Sequence, residues 1–394
     1  MHFSLSAAVA AALAVASLAT PLQLHTVEKF VGQKKANSFI VTLKPTVSKN
    51  AHLSTNPHIA STVTHPEWES EVLHGFAGTF NTSQLEALRA SGDVLSIAED
   101  GIMHTMAVTS QTTAPWGLAR LSSRTRLSGS VTSLNFTYRF DSTAGRGVDV
   151  YIVDTGINTA HTDFGGRATF GASFGGLPRT DDNGHGTHVA GTAVGTRFGV
   201  AKGANVIAVK VLNSAGSGTV SDIVSGLNFV LSSARSSGRP SIASMSLGGG
   251  ATSALDNAVA SLTSGGVHVT VAAGNDNANA ANTSPARAPS AITVGASTIS
   301  DARASFSNFG AVVDIFAPGQ DVTSAWIGST TATNRISGTS MATPHIAGLV
   351  AYVIGLNGNA SPASISSSLR SSGLSGVLSG IPSGTTNTLA HNGQ

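Results

Sequence analysis

The hydrophobic rhythm of the chain changes twice. An Ala/Val/Leu run starts at the N-terminus and continues to about Leu18. It is shorter than a comfortable membrane span, and Ser17-Leu18-Ala19 is a small-x-small pattern suited to signal peptidase. Residues 1–19 are therefore expected to be a signal peptide. Beyond it, Ser38–Leu43 alternates like a half-buried strand and stops before Pro45. His74–Phe80 and Val94–Ala98 read as further strands. Ser83 with Glu86 three residues later opens a short helix to Arg89. Together these predict a small α+β unit. After Glu99-Asp100 the chain turns polar and unpatterned up to Pro115, as a linker does.

From about residue 147 short β-branched runs alternate with longer helical stretches. Val148–Val153, Val206–Leu212, Ile242–Met245, Val267–Ala272 and Ile292–Val294 are almost continuously apolar. Such runs fit strands of a parallel sheet covered on both faces. Helices are predicted near 188–196, 219–236, 252–264 and 341–352. The alternation implies an α/β domain with a mostly parallel sheet.

Composition narrows the chemistry. The 394 residues contain no cysteine, which excludes a disulfide scaffold, a thiolate metal site and a Cys nucleophile. The formal charge of +2 gives no reason to expect nucleic acid. The charge is unevenly placed: residues 20–108 carry 6 Lys+Arg and 8 Asp+Glu, residues 109–394 carry 16 and 12. An acidic front piece thus precedes a weakly basic main body.

Three segments carry candidate chemistry. Val153-Asp154-Thr155-Gly156-Ile157 ends a predicted buried strand. Asn183-Gly184-His185-Gly186-Thr187-His188 precedes a predicted helix. Ser337-Gly338-Thr339-Ser340-Met341-Ala342-Thr343-Pro344-His345 opens another. An Asp, a His and a Ser in separate motifs suggest an orienting carboxylate, a base and a nucleophile. Each alone has a plainer structural reading. Asp154-Thr155-Gly156 also looks like an aspartic-protease signature, but no second Asp-Thr-Gly or Asp-Ser-Gly exists to share a proton. His185 and His188 could suggest a metal pair, yet no His-Glu-x-x-His occurs. The Gly-x-Ser-x-Gly elbow of lipases is absent from a strand–turn–helix context.

In this order and context the three motifs resemble the subtilisin-type serine endopeptidases, most closely the secreted fungal proteinase K group. The resemblance covers nearly all of 109–394, and residues 20–108, with a core of 37–106, resemble the inhibitory propeptide of that family. It implies a three-layer α/β fold with a mostly parallel central sheet, preceded by a small α+β, ferredoxin-like propeptide domain. It implies catalysis by Asp154, His185 and Ser340, with Asn275 and the Ser340 backbone N–H as oxyanion hole. Peptide would bind as an added strand between Gly216-Ser217-Gly218 and Ser246-Leu247-Gly248, with Leu247, Gly248, Ala273 and Gly274 lining an uncharged S1 cleft. Cleavage after apolar or aromatic residues is then expected. Val220 stands where close relatives often have Tyr, on the outer S4 wall. Pro344 is expected in the first turn of its helix, and His188 and His345 as packing residues.

No cofactor is implied for the chemistry, but a structural Ca²⁺ (calcium) site is, at Pro289, Ala291 and Asp314. The same resemblance implies the loss of a second, weaker site, whose positions are Arg124 and Val377 here. The implied partners are polypeptide substrates and the chain's own propeptide as intramolecular inhibitor, cut near Thr109 by the triad itself. A secreted monomer with no nucleic-acid or membrane partner is expected. The alternative is a catalytically silent relative acting as a binding or structural protein. Six histidines between 20 and 108 could loosen the propeptide on protonation. Sequons occur at Asn81, Asn135, Asn282 and Asn359. Positions that often hold Cys in the group are here Asp149, Val189 and Ile292.

Overall fold

A computed structural model of the protein describes residues 24–30, 34–66, 68–102 and 108–394. The expected signal segment, 1–19, lies outside the described residues. The described chain forms two compact units that divide after Gly101.

The first unit is a five-stranded sheet in the order Val27–Glu28, Val94–Gly101, Lys34–Leu43, Gly75–Thr79, Val63–His65. Val27–Glu28 runs parallel to its neighbour and the other pairs are antiparallel. Val41, Leu43, Phe76, Val94 and Ile97 share a core with Leu88 of the helix Thr82–Ala90. That helix is capped by Asn81, two residues before the expected Ser83. Asn81 Oδ1 accepts from Gln84 N–H at 2.9 Å, and Gln84 Oε1 accepts from Asn81 N–H at 2.9 Å, a reciprocal capping box. A helix Lys49–Thr55, not expected from the pattern, carries His52. His52 is the buried one among this unit's described histidines, and its Nδ1 lies 2.8 Å from Asp93 Oδ2.

The second unit centres on a nine-stranded sheet. Its order is Leu374–Ser375, Thr388–Leu389, Ile315–Pro318, Ile292–Ser297, His268–Ala272, Ser241–Met245, Asp149–Asp154, Asn205–Lys210, Ala168–Ser173. All neighbours are parallel except the first pair. Successive side chains of a strand point to opposite faces, and here both faces are buried. Val150 and Ile152 pack with Val189 and Ala193 of the helix His185–Val194 and with Ile346 and Leu349 of the helix Thr339–Asn357. Tyr151 and Val153 pack on the other side with Leu227 of Val220–Ser237 and Val259 of Ser253–Ser264. This is the expected three-layer arrangement. The chain order reverses at Asp149–Asp154, and open α/β sheets place sites at the strand ends beside such a switch.

Three differences from expectation have physical causes. The presumed linker contains a strand, Val108–Ala114, paired with Phe136–Asp141. Most of its side chains are exposed, so no apolar alternation marks it. The edge strand Ala168–Ser173 is half-buried, and it was missed for the same reason. Pro344 lies in the second turn of Thr339–Asn357 and not in the first. Among the described residues this helix alone is long and apolar enough to cross a membrane, and 78% of its apolar window is buried in the core.

Candidate active site

Asp154 ends its strand fully buried, at the reversal of sheet order. Its Oδ1 accepts from Thr155 N–H at 2.7 Å and lies 2.8 Å from His185 Nδ1. His185 is the first residue of its helix, after Gly184 at φ 103°. A side chain at 184 would collide with the ring of Trp326, so glycine is required there both for space and for its positive φ. Burial lowers the proton affinity of His185. The charge and hydrogen bond of Asp154, and the charge of Asp181, outweigh that and raise it overall. His188 and His345 behave differently: burial pushes them down to about 3 and about 4. Both are bonded to backbone carbonyls and neutral at working pH, as packing residues should be.

Ser340 is the second residue of its helix, after Gly338 and Thr339. Its N–H belongs to the first turn, which has no intrahelical acceptors. Asn275 Oδ1 accepts from Thr339 N–H at 2.8 Å and from Thr339 Oγ1 at 2.9 Å. This fixes the amide so that Nδ2 faces the cleft as a donor. A methyl group added at Gly338 would lie 3.5 Å from Ser340 N and 3.7 Å from both Nδ2 and Oδ1 of Asn275, so Ser340 N–H and the Asn275 amide border one small space. Gly274, at φ 105°, turns the chain so that Asn275 can reach it. Asn308, buried, braces that turn: its Nδ2 donates to Ala273 O and its Oδ1 accepts from Asp276 N–H and Ala278 N–H.

Ser340 Oγ donates to Ser246 O at 3.1 Å, and Ser246 Oγ donates to Ser340 O at 2.8 Å. The second bond explains the proline. Pro344 has no N–H for the carbonyl four residues before it, which is that of Ser340. Ser246 supplies the missing donor and ties the helix start to the end of Ser241–Met245.

His185, Ser340 and Asn275 line one cleft of about 930 Å³. Gly216, Ser217, Gly218, Val220, Ser246, Leu247, Gly248 and Gly274 line it too. Ala273 does not. Its side chain is fully buried among Ala280, Ala286 and Phe316, and the cleft wall is made by Ala272 instead. Asp276 adds one carboxylate that the sequence reading overlooked.

The calcium expectation meets a different arrangement. Asp314 Oδ2 accepts from Thr293 N–H at 2.9 Å, and Oδ1 is paired with Arg370 Nη1 at 3.0 Å. A guanidinium already supplies the positive charge, and a hard cation with one such carboxylate and two carbonyls would have to displace it. Pro289, Ala291 and Asp314 thus do not fit Ca²⁺. Among the described residues no group of three His, Asp or Glu could hold a metal.

Residues missed in the sequence are Thr155, Asp181, Asn308 and Thr339, which hold the functional groups without reacting. Asp181 had one visible signal, its place four residues before His185.

Residues 145–387 match the subtilase family, and residues 38–106 match the peptidase inhibitor I9 family. The chain is 45% identical over 403 residues to a cuticle-degrading protease of Metarhizium anisopliae, covering 100% of both. It is 46% identical over 395 residues to the alkaline serine protease ver112 of Corniculantispora psalliotae, again covering 100% of both. Among solved structures it resembles a cold adapted subtilisin-like serine proteinase, with 45% identity and a TM-score of 0.66, over 71% of this chain and 98% of that one. The chain belongs to the subtilase family of serine endopeptidases and carries an I9 inhibitor unit ahead of the protease.

Proposed function

We propose that the protein is a secreted endopeptidase of broad specificity that works through Asp154, His185 and Ser340. Ser340 Oγ attacks the scissile carbonyl carbon while His185 Nε2 takes its proton and passes it to the leaving amine. Water then repeats the sequence on the acyl-enzyme and regenerates Ser340. Asp154 keeps His185 in the tautomer with Nδ1–H and stabilises the imidazolium. Asn275 Nδ2 and Ser340 N–H receive the oxyanion, whose place is the space they share. That convergence, beside His185 in the same cleft, is the observation that carries the reading. An uncharged wall of Leu247, Gly248, Ala272 and Gly274 favours apolar or aromatic residues before the cut.

In this reading the I9 unit inhibits the enzyme until the chain is cut near Thr109. Expression of the full chain and of Ser340→Ala tests it. The wild type should digest casein, lose that activity to a sulfonyl fluoride, and begin near residue 109. The Ser340→Ala chain should stay unprocessed and inert. Casein hydrolysis by Ser340→Ala would sink the triad, and cleavage mainly after Arg or Lys would sink the specificity.

A further inference from the structure

We propose that Asp181 is a positioning residue for the general base: its buried carboxylate locks the start of the His185 helix to the end of the Asp154 strand and offsets the positive helix terminus on which the imidazole stands. The inference rests on the triad reading above and goes beyond it.

Asp181 is 6% exposed and accepts from both sides of the site. Oδ1 accepts from Thr155 Oγ1 at 2.9 Å, Asn183 N–H at 3.1 Å and Gly184 N–H at 2.9 Å. Oδ2 accepts from Thr187 N–H at 2.9 Å and Thr187 Oγ1 at 2.6 Å. Thr155 Oγ1 in turn accepts from Gly186 N–H at 2.9 Å, and Asn183 Oδ1 accepts from His185 N–H at 3.0 Å. Every backbone N–H from Gly184 to Thr187 thus has an acceptor, although no side chain sits at the capping position itself. Thr155 is the neighbour of Asp154, while Gly184 and Gly186 flank His185. The 2.8 Å contact between Asp154 and His185 therefore depends on a register that Asp181 sets. Backbone also meets backbone directly here, since a methyl group at Gly186 would collide with Gly156 O.

Charge is the second half of the argument. A helix N-terminus carries roughly half a positive charge, which disfavours an imidazolium at its first residue. Asp181 supplies the one carboxylate among those first-turn partners. The other titratable groups packed around are accounted for. Asp154 faces the ring directly. Lys210 donates to Thr155 O and is paired with Asp182 at 2.7 Å. His188, on the same helix, and His345, on the Ser340 helix, are neutral.

The test uses the full chain, with rates on a chromogenic peptide taken per active site titrated by a sulfonyl fluoride. Unfolded or unprocessed material then drops out. Asp181→Asn should lower kcat by roughly 10–100-fold with little change in KM. It should also move the acid limb of kcat/KM to lower pH by roughly 0.5–1 unit, because the imidazolium has lost a negative neighbour. Thr155→Val should lower kcat and leave the acid limb in place, since the charge remains. An unmoved limb in Asp181→Asn overturns the proposal. Should that variant give no titratable site, Thr155→Ser must retain more of kcat than Thr155→Val, and equal losses overturn it. Ser340→Ala separates the two levels. If it is active the triad itself has failed, whereas an inert Ser340→Ala beside a wild-type-like Asp181→Asn removes only the role of Asp181.

Discussion

On one side of the cleft the groups around His185 are charged, and all of them but Asp182 are buried; on the other, the groups that hydrogen-bond Ser340 and Thr339 are neutral. Asp154, Asp181 and the Lys210–Asp182 pair surround the start of the His185 helix. Ser340 exchanges hydrogen bonds with Ser246, its Oγ donating to Ser246 O and its carbonyl accepting from Ser246 Oγ, while the preceding Thr339 donates to the Asn275 amide oxygen. The difference follows the charge through the reaction. In the proposed mechanism His185 holds a proton for the length of a step, so fixed negative charge beside it is useful. Charge near Ser340 appears only on the substrate oxygen and only near the transition state, where preoriented dipoles act without binding the ground state more tightly. Elsewhere in the unit, Asp314 and Arg370 are paired at the surface, where the same kind of charge does no chemistry.

The contrast can be broken in graded steps. Asp154→Asn should cost the most, about 10⁴ in kcat, because the amide stabilises the wrong tautomer. Equal kcat in variant and wild type would refute its role. Asn275→Leu removes one neutral donor and should cost roughly 10²–10³ in kcat at nearly constant KM, the size known for such a donor in a subtilisin. A rise confined to KM would instead mean ground-state binding. The raised proton affinity of His185 should place the acid limb of kcat/KM above the ordinary histidine value of about 6.5. Activity is then complete above that limb and lost as pH falls through it; a limb below the ordinary value would contradict the charged surroundings. Ser246→Ala leaves Ser340 O without its donor and should lower stability by about 1 kcal/mol, read from chemical denaturation. The smallest effect belongs to Arg370→Gln, a half-exposed partner, at roughly 0–1 kcal/mol. With that guanidinium in place, EDTA should leave the melting temperature of the wild type unchanged, and a large drop would restore calcium to Asp314.

Much of this was legible because burial on two faces writes a strong signal. Asp149–Asp154 and His268–Ala272 are apolar almost throughout, and their positions were found to within a residue or so. The motifs around Asp154, His185 and Ser340 were legible by family resemblance more than by pattern. What escaped has local causes. The helix at His185 begins three residues before its apolar run, because its first N–H groups donate to Thr155 Oγ1 and Asp181 Oδ2. Ala273 was assigned to the cleft, but the chain turns at Gly274, and Ala273 faces the core. The family resemblance implies a metal at Asp314, and its actual partner, Arg370, leaves no trace in the sequence because it lies 56 residues away. Asp181 looks like any turn aspartate until its acceptors are traced.

The order of strands also sets an order in time. Asp149–Asp154 pairs with Asn205–Lys210 and Ser241–Met245, and the last strand to be added in sequence is Thr388–Leu389, which lies between Ile315–Pro318 and the edge strand Leu374–Ser375. Pairings so distant in sequence close slowly, because loop entropy is lost before contacts repay it. A growing chain presents Asp154 and His185 long before Ser340. Ser340 is placed only when Met341, Ile346, Leu349 and Val350 have closed the core beneath it. With the proposed triad, an unfinished molecule would hold base and carboxylate without their nucleophile. On that reading, topology is a delay on hydrolysis.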